Sequence, residues 1–127
     1  MSQFVDTNTH TFEADGAIAK HARVVLEADG KVVTAGITNK EVGTALQEAF
    51  AAGDLIAVKL RTGAGTHKMI AVEAVAVGAA LYTEASGKVQ DTAASTSFAL
   101  GTALEAATAD GDIIEVLYGA HGDTAVS

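Results

Sequence analysis

The chain has 127 residues, 16 acidic against 8 basic side chains for a formal net charge of −8, and no Pro, Cys or Trp. The missing Cys excludes disulfides, a thiolate nucleophile and Cys-ligated zinc or iron–sulfur centres, and the basic residues, scattered from Lys20 to Lys88, do not form the cluster a nucleic-acid face needs. No apolar run approaches the ~20 residues of a membrane span, and the opening Met-Ser-Gln-Phe-Val-Asp-Thr-Asn has neither the basic nor the apolar region of a secretory signal.

The length suits one domain. The 27 Ala favour helices by propensity, but 13 Gly interrupt any long helix. Residues 1–15 read as an extended N-terminal arm in which Thr7, Thr9 and Thr11 alternate with Asn8, His10 and Phe12, flanked by Phe4 and Val5. A single β-domain is expected over 16–127. Arg23–Glu27 and Lys31–Thr34 flank Asp29-Gly30 and predict a hairpin, since Asp and Gly tolerate the positive φ of tight turns. Residues 40–52 read as a strand or extended segment. A short helix is the alternative, because Leu46, Ala49 and Phe50 could share a helical face. Asp54–Arg61 predicts a strand with Ile56, Val58 and Leu60 inward. Gly63–Lys68 lacks the Gly-Lys-Ser/Thr ending of a phosphate loop and reads as a hairpin loop. His67–Glu73 is a further strand candidate. Ala79–Thr83 and Lys88–Gln90 repeat the hairpin around Ser86-Gly87, and Ile113–Tyr118 repeats the inward face with Ile114, Val116 and Tyr118. Gly119–Ser127 has no periodicity and reads as a loop or tail.

The strongest feature is an internal repeat. VGTALQEAFAAGDLIAVKL (42–60) and LGTALEAATADGDIIEVLY (100–118) agree at ten of nineteen positions, including Gly43/Gly101, Gly53/Gly111 and Asp54/Asp112. Upstream, Glu27–Val32 answers Glu84–Val89 with a one-residue slip. The halves span about 16–60 and 74–118. Two copies are too few for a solenoid, so one core with pseudo-twofold symmetry is expected. With strands every 8–12 residues, the fold class is all-β: a small β-sandwich or barrel-like domain of two pseudo-symmetric repeats with an extended N-terminal arm.

Candidate chemistry is sparse. Asp54 and Asp112 each follow a Gly before a strand, where a carboxylate caps turn N–H groups, so with Gly30, Gly53, Gly87 and Gly111 they read as structural turn residues. His10, His21, His67 and His121 share no ligand spacing with carboxylates, and no metal site is expected. No Gly-x-Ser-x-Gly elbow surrounds Ser86, Ser95 or Ser97. No catalytic residue and no cofactor is expected, and the protein is read as a non-enzyme. A lipoyl- or biotinyl-type carrier would present a lysine at a hairpin tip, but Lys31, Lys68 and Lys88 lie in poorly matching contexts. A carbohydrate-binding module would need an aromatic platform, for which only Tyr82 and Tyr118 are available as tyrosines.

The combination of Asp-Gly-Lys-Val, Val-Gly-Thr-Ala-Leu-Gln-Glu-Ala and Ala-Ala-Gly-Asp-Leu-Ile-Ala-Val-Lys-Leu resembles the phage capsid cement, or head decoration, protein family. Gly43–Ala49 with Gly53–Leu60, and Gly101–Ala107 with Gly111–Leu117, carry the match. Leu81-Tyr82 before Gly87-Lys88-Val89 resembles the family's Ala-Leu-Tyr hairpin, and the likeness covers about 16–118. Lys59, Arg61 and the Thr-rich arm depart from the pattern. The resemblance implies a structural virion protein on the outer capsid surface that clamps neighbouring major capsid subunits as a homo-oligomer, trimer before dimer, with neither nucleic acid nor membrane as partner. Phe4, Val5, Thr7, Thr9, Thr11 and Phe12 are the candidate capsid-binding arm, able to add a strand to a neighbouring sheet edge. The alternative function is a free-standing binding module, carbohydrate-binding or carrier-like.

Overall fold

A computed structural model describes residues 7–119 and 125–126. Among the described residues ten strands run in chain order: β1 Thr9–Glu13, β2 Arg23–Leu26, β3 Val32–Thr34, β4 Gly43–Ala45, β5 Leu55–Leu60, β6 His67–Ile70, β7 Ala80–Thr83, β8 Val89–Gln90, β9 Ala99–Ala103 and β10 Ile113–Tyr118. A single 3-10 turn, Ala85–Gly87, is the one helical element among the described residues. The fold is all-β. Residues 40–52 contain β4 and no helix, so the Leu46/Ala49/Phe50 spacing is not used as a helical face.

The strands form two five-stranded antiparallel sheets, ordered β1-β5-β4-β2-β3 and β6-β10-β9-β7-β8. The order is the same in both, with β1 in the place of β6 and β5 in that of β10. Each sheet also closes on itself. Ala14, just after β1, bridges Val32 of β3 in parallel, and Ala71, just after β6, bridges Val89 of β8. Closure joins the two edge strands and removes the liability of an open edge at that point. Each unit is therefore a small barrel, beginning one strand earlier than the halves read from the repeat. Residues 9–13, expected to stand apart as an arm, are the first barrel's own strand, in register with β5 from Thr9↔Lys59 to Glu13↔Leu55.

The one shared core expected from the repeat is instead two. Ala14, Ile18, Val24, Val32, Ile56 and Val58 are among the buried residues of the first barrel, joined by Ile70 from β6. Met69, Leu81, Val89, Leu100, Ile114 and Val116 fill the second. The period-2 pattern accounts for this: Ile56 and Val58 point inward while Leu55 is exposed, and Ile114 and Val116 repeat the alternation. A barrel this narrow needs small residues. Ala14, Ala22, Ala45 and Ala49 line the first, and a Cβ at Gly43 would run into the Lys59 carbonyl oxygen, as one at Gly101 would into that of Leu117.

Candidate functional site

The turn residues recur at matching places in the two barrels. Gly53 and Gly111 take φ of +98° and +95°, a region open to glycine at little cost. Asp54 Oδ2 accepts from the Phe50 and Ala51 amides at 2.8 and 3.3 Å. Asp112 Oδ2 accepts from the Thr108 and Ala109 amides at 2.8 and 3.2 Å and from the Thr108 hydroxyl at 2.9 Å. Those donors, the Thr108 amide first, hold the Asp112 carboxyl below its ordinary pKa. Gly30 and Gly87 turn the two hairpins with φ of +87° and +71°.

The candidate arm divides. Phe4 and Val5 lie outside the described residues. Thr7 and Thr11 are exposed, and the Thr7 hydroxyl donates to the Thr9 carbonyl at 3.2 Å. Phe12 packs against the first core and stacks on His10 with ring centroids 4.2 Å apart, so its ring belongs to the barrel. The Leu60 amide donates to the Asn8 carbonyl and the Ala14 amide to that of Asp54. In an antiparallel ladder such positions alternate, which turns the main-chain groups of Thr9 and Thr11 away from β5. Thr11 lies opposite Ala57 in that register, and Leu55, 70% exposed, follows two residues before it on β5. Phe50, 78% exposed, sits in the turn closed by Asp54.

Arg23, Glu41 and Thr83, given no site role from the sequence, join the two barrels together with His67, Gly87 and Tyr118. Arg23 and Glu41 have no exposed side-chain surface and pair Nη1 to Oε1 at 2.9 Å. Arg23 also donates from Nε to the Lys88 carbonyl at 3.0 Å, and from Nη2 to the carbonyls of Gly36 and Glu84. The Tyr118 hydroxyl, at the end of β10, donates to Glu41 Oε2 at 2.7 Å. Burial, then the Glu41 charge, holds the Tyr118 hydroxyl well above its ordinary pKa. The buried His67 ring meets Tyr118 edge-on at 4.6 Å, and its Nε2 lies 3.0 Å from the Leu60 carbonyl. Thr83 Oγ1 donates to the Ile37 carbonyl at 2.7 Å, and the Gly87 amide to that of Ala35 at 2.8 Å. The bonds from Arg23 to the Lys88 and Glu84 carbonyls, and those joining Tyr118 to Glu41, His67 to Leu60, Thr83 to Ile37 and Gly87 to Ala35, cross from one barrel to the other. Donors from Arg23 and Tyr118 satisfy a buried Glu41 that would otherwise be costly.

Asp15, Glu27 and Asp29 gather their carboxylates within 4.8 Å of one another at the first hairpin. Hydrogen bonding to Asp15 is the main cause that raises the Glu27 pKa. Nearby, Lys31 lies 3.3 Å from Glu13. Lys88 pairs with Asp110 at 2.8 Å. The two Gly-Lys turn lysines are therefore engaged, which is unlike a carrier's free tip. Tyr118 is committed to the junction, which weakens the aromatic-platform reading.

Comparison with known proteins bears on the whole arrangement. Residues 60–118 match the phage cement protein family. That span is the second barrel and the segment leading into it, where Gly101–Ala107 and Gly111–Leu117 lie, and the resemblance drawn from those motifs stands. The match covers the second half of this chain. Its fold is similar to that of the head fiber N base in bacteriophage phi29, with a TM-score of 0.71 at 21% identity over 87% of this chain and 92% of the other. No curated protein sequence matches the chain.

Proposed function

We propose that the chain decorates and stabilises a phage capsid by binding on its outer surface across neighbouring major capsid subunits, with no catalytic step. The observation that carries this reading is the family match over 60–118. The first barrel supplies a fitting contact. Thr9 and Thr11 on β1 turn main-chain groups outward, with exposed Leu55 on the paired strand β5, a combination that suits strand addition from a capsid subunit. Phe4, Val5 and Thr7 would extend that contact, while Phe12 supports it from the core side. The homo-oligomer is a trimer before a dimer, and many copies on one lattice give retention through multivalency. The turn residues Gly30, Gly53, Asp54, Gly87, Gly111 and Asp112 hold the barrels and do not touch the shell.

The test is co-sedimentation of the purified chain with assembled, expanded phage shells, beside Thr11→Pro. Proline is tolerated on an edge strand where its missing N–H faces away from the ladder. Wild type is expected to pellet with shells, and the variant to keep its circular dichroism while losing most of the bound fraction. Failure of wild type to pellet overturns the decoration reading. Full binding by Thr11→Pro overturns only the β1 contact. Light scattering after size exclusion reads the oligomer.

A further inference from the structure

His67 stands at the seam of two bodies that each have their own core. It opens β6 directly after the 61–66 connection, and its side chain is fully buried. The Leu60 carbonyl can only accept, so the proton of the neutral ring is on Nε2. Nδ1 is buried and has no hydrogen-bond partner among the described residues. A second proton there would create a buried donor with no acceptor.

The charged surroundings weigh the same way. Lys59 on β5 opposes a positive ring, while Glu41, before β4, favours it. Glu41 is already engaged by Arg23 Nη1 at one oxygen and by the Tyr118 hydroxyl at the other. Arg23 from β2 and Arg61 from the connection add positive charge around Tyr118, against which the His67 ring packs. We propose that His67 makes the barrel–barrel junction acid-labile: its protonation expels the ring from the seam, breaks the Leu60 contact and frees the two barrels to move apart while each stays folded.

Burial, and then Lys59, hold the His67 pKa below its ordinary 6.5. The sign follows: above 6.5 the closed junction has its full stability, and it weakens as pH falls below that value, because the opened state takes up the proton more readily.

The experiment is small-angle scattering and far-ultraviolet circular dichroism of the full chain from pH 8 to 4.5, with His67→Gln and His10→Gln. Glutamine keeps a donor for the Leu60 carbonyl and cannot titrate. Expected is a growth in maximum dimension below pH 6.5 with strand signal retained, absent in His67→Gln and unchanged in His10→Gln. Compact scattering throughout in wild type, or the same expansion in His67→Gln, overturns the proposal. If His67→Gln does not fold, the wild-type imidazole resonances decide: a His67 that titrates at or above the ordinary value overturns it, and one that titrates below, together with the expansion, supports it.

Discussion

Where the first barrel carries Arg23 the second carries Ala80, and where the first carries Glu41 the second carries Ala99. Conversely, Tyr118 stands where the first barrel has Leu60, and Ile70, which packs into the first core, stands where the first barrel has Glu13. The two barrels share one strand order, yet each carries only its own half of the junction. Had both kept the same face, one chain's first barrel could dock on another's as it docks on its own second barrel. Such head-to-tail contacts run on without closing unless the rotation forms a ring. Leu60 cannot donate to a Glu41, and Glu13 would bring a charge where Ile70 is buried. The divergence therefore keeps this junction inside one chain and leaves other surfaces for other partners.

The sharpest break of the comparison is Arg23→Ala. It leaves Glu41 buried without its cation and removes donors to three carbonyls, and loss of one member of a buried pair costs about 3–5 kcal/mol. Urea unfolding should register that loss in the first barrel's residue, while a change at exposed Ala80, such as Ala80→Ser, leaves the midpoint nearly where it was. Equal costs at the two positions would mean the barrels are not divided as described.

Tyr118→Phe tests the other half of the junction. It removes one hydrogen bond to a carboxylate, a loss of about 1.5–3 kcal/mol. It also predicts an alkaline signature. The folded Tyr118 pKa is raised, so the hydroxyl stays protonated in the fold while the unfolded chain ionises near 10. Its contribution is full below pH 10 and is lost as pH rises from there toward the folded value. The variant should lose that part of the alkaline decline, and unfolding midpoints between pH 9 and 11 measure it.

A third change asks where the barrels remain equal. Gly43→Ala and Gly101→Ala each force a methyl against a backbone carbonyl of the neighbouring strand, of Lys59 in one case and Leu117 in the other. Overpacking of this kind costs roughly 1–3 kcal/mol. The two variants should lose similar stability, and a large inequality would show that the strand spacing differs between the barrels.

The same contrasts separate what is legible in the sequence from what is not. Duplicated residues were legible: the glycine–aspartate turns, the hairpins and the inward Ile-Val pairs follow from local propensity and a period of two. The closing bridges at Ala14 and Ala71 were not, because one alanine on each chain pass carries no pattern, and so residues 9–13 read as a separate arm when they are a barrel strand. The separation into two cores was hidden for a related reason, since inward residues look the same whether they share one interior or two. The junction is not legible in the sequence, because its partners lie 18 to 77 residues apart in the chain. A signal was nevertheless present. Arg23 against Ala80, Glu41 against Ala99 and Tyr118 against Leu60 are places where the repeat breaks with a change of chemistry, and a charged or hydroxylated residue at a broken repeat position is what joins the copies.

The smallest expected effect concerns a turn where the copies differ in strain. His21 adopts φ of +71° and its amide bonds the Ala45 carbonyl; in the second barrel Gly78 holds φ of +86° with its amide on the Ala103 carbonyl. The hydrogen bonds correspond, so the backbone conformation is demanded by the barrel and not by the side chain. A residue with a Cβ pays about 1–2 kcal/mol in the left-handed region, offset in part by the entropy a glycine gains in the unfolded chain. His21→Gly should therefore raise the urea midpoint, with a net gain of up to about 1 kcal/mol, whereas Gly78→His should lower it by a similar amount. If His21→Gly instead destabilises, the His21 side chain supports the turn through contacts that outweigh the strain, and the two turns are equivalent in shape but not in cause.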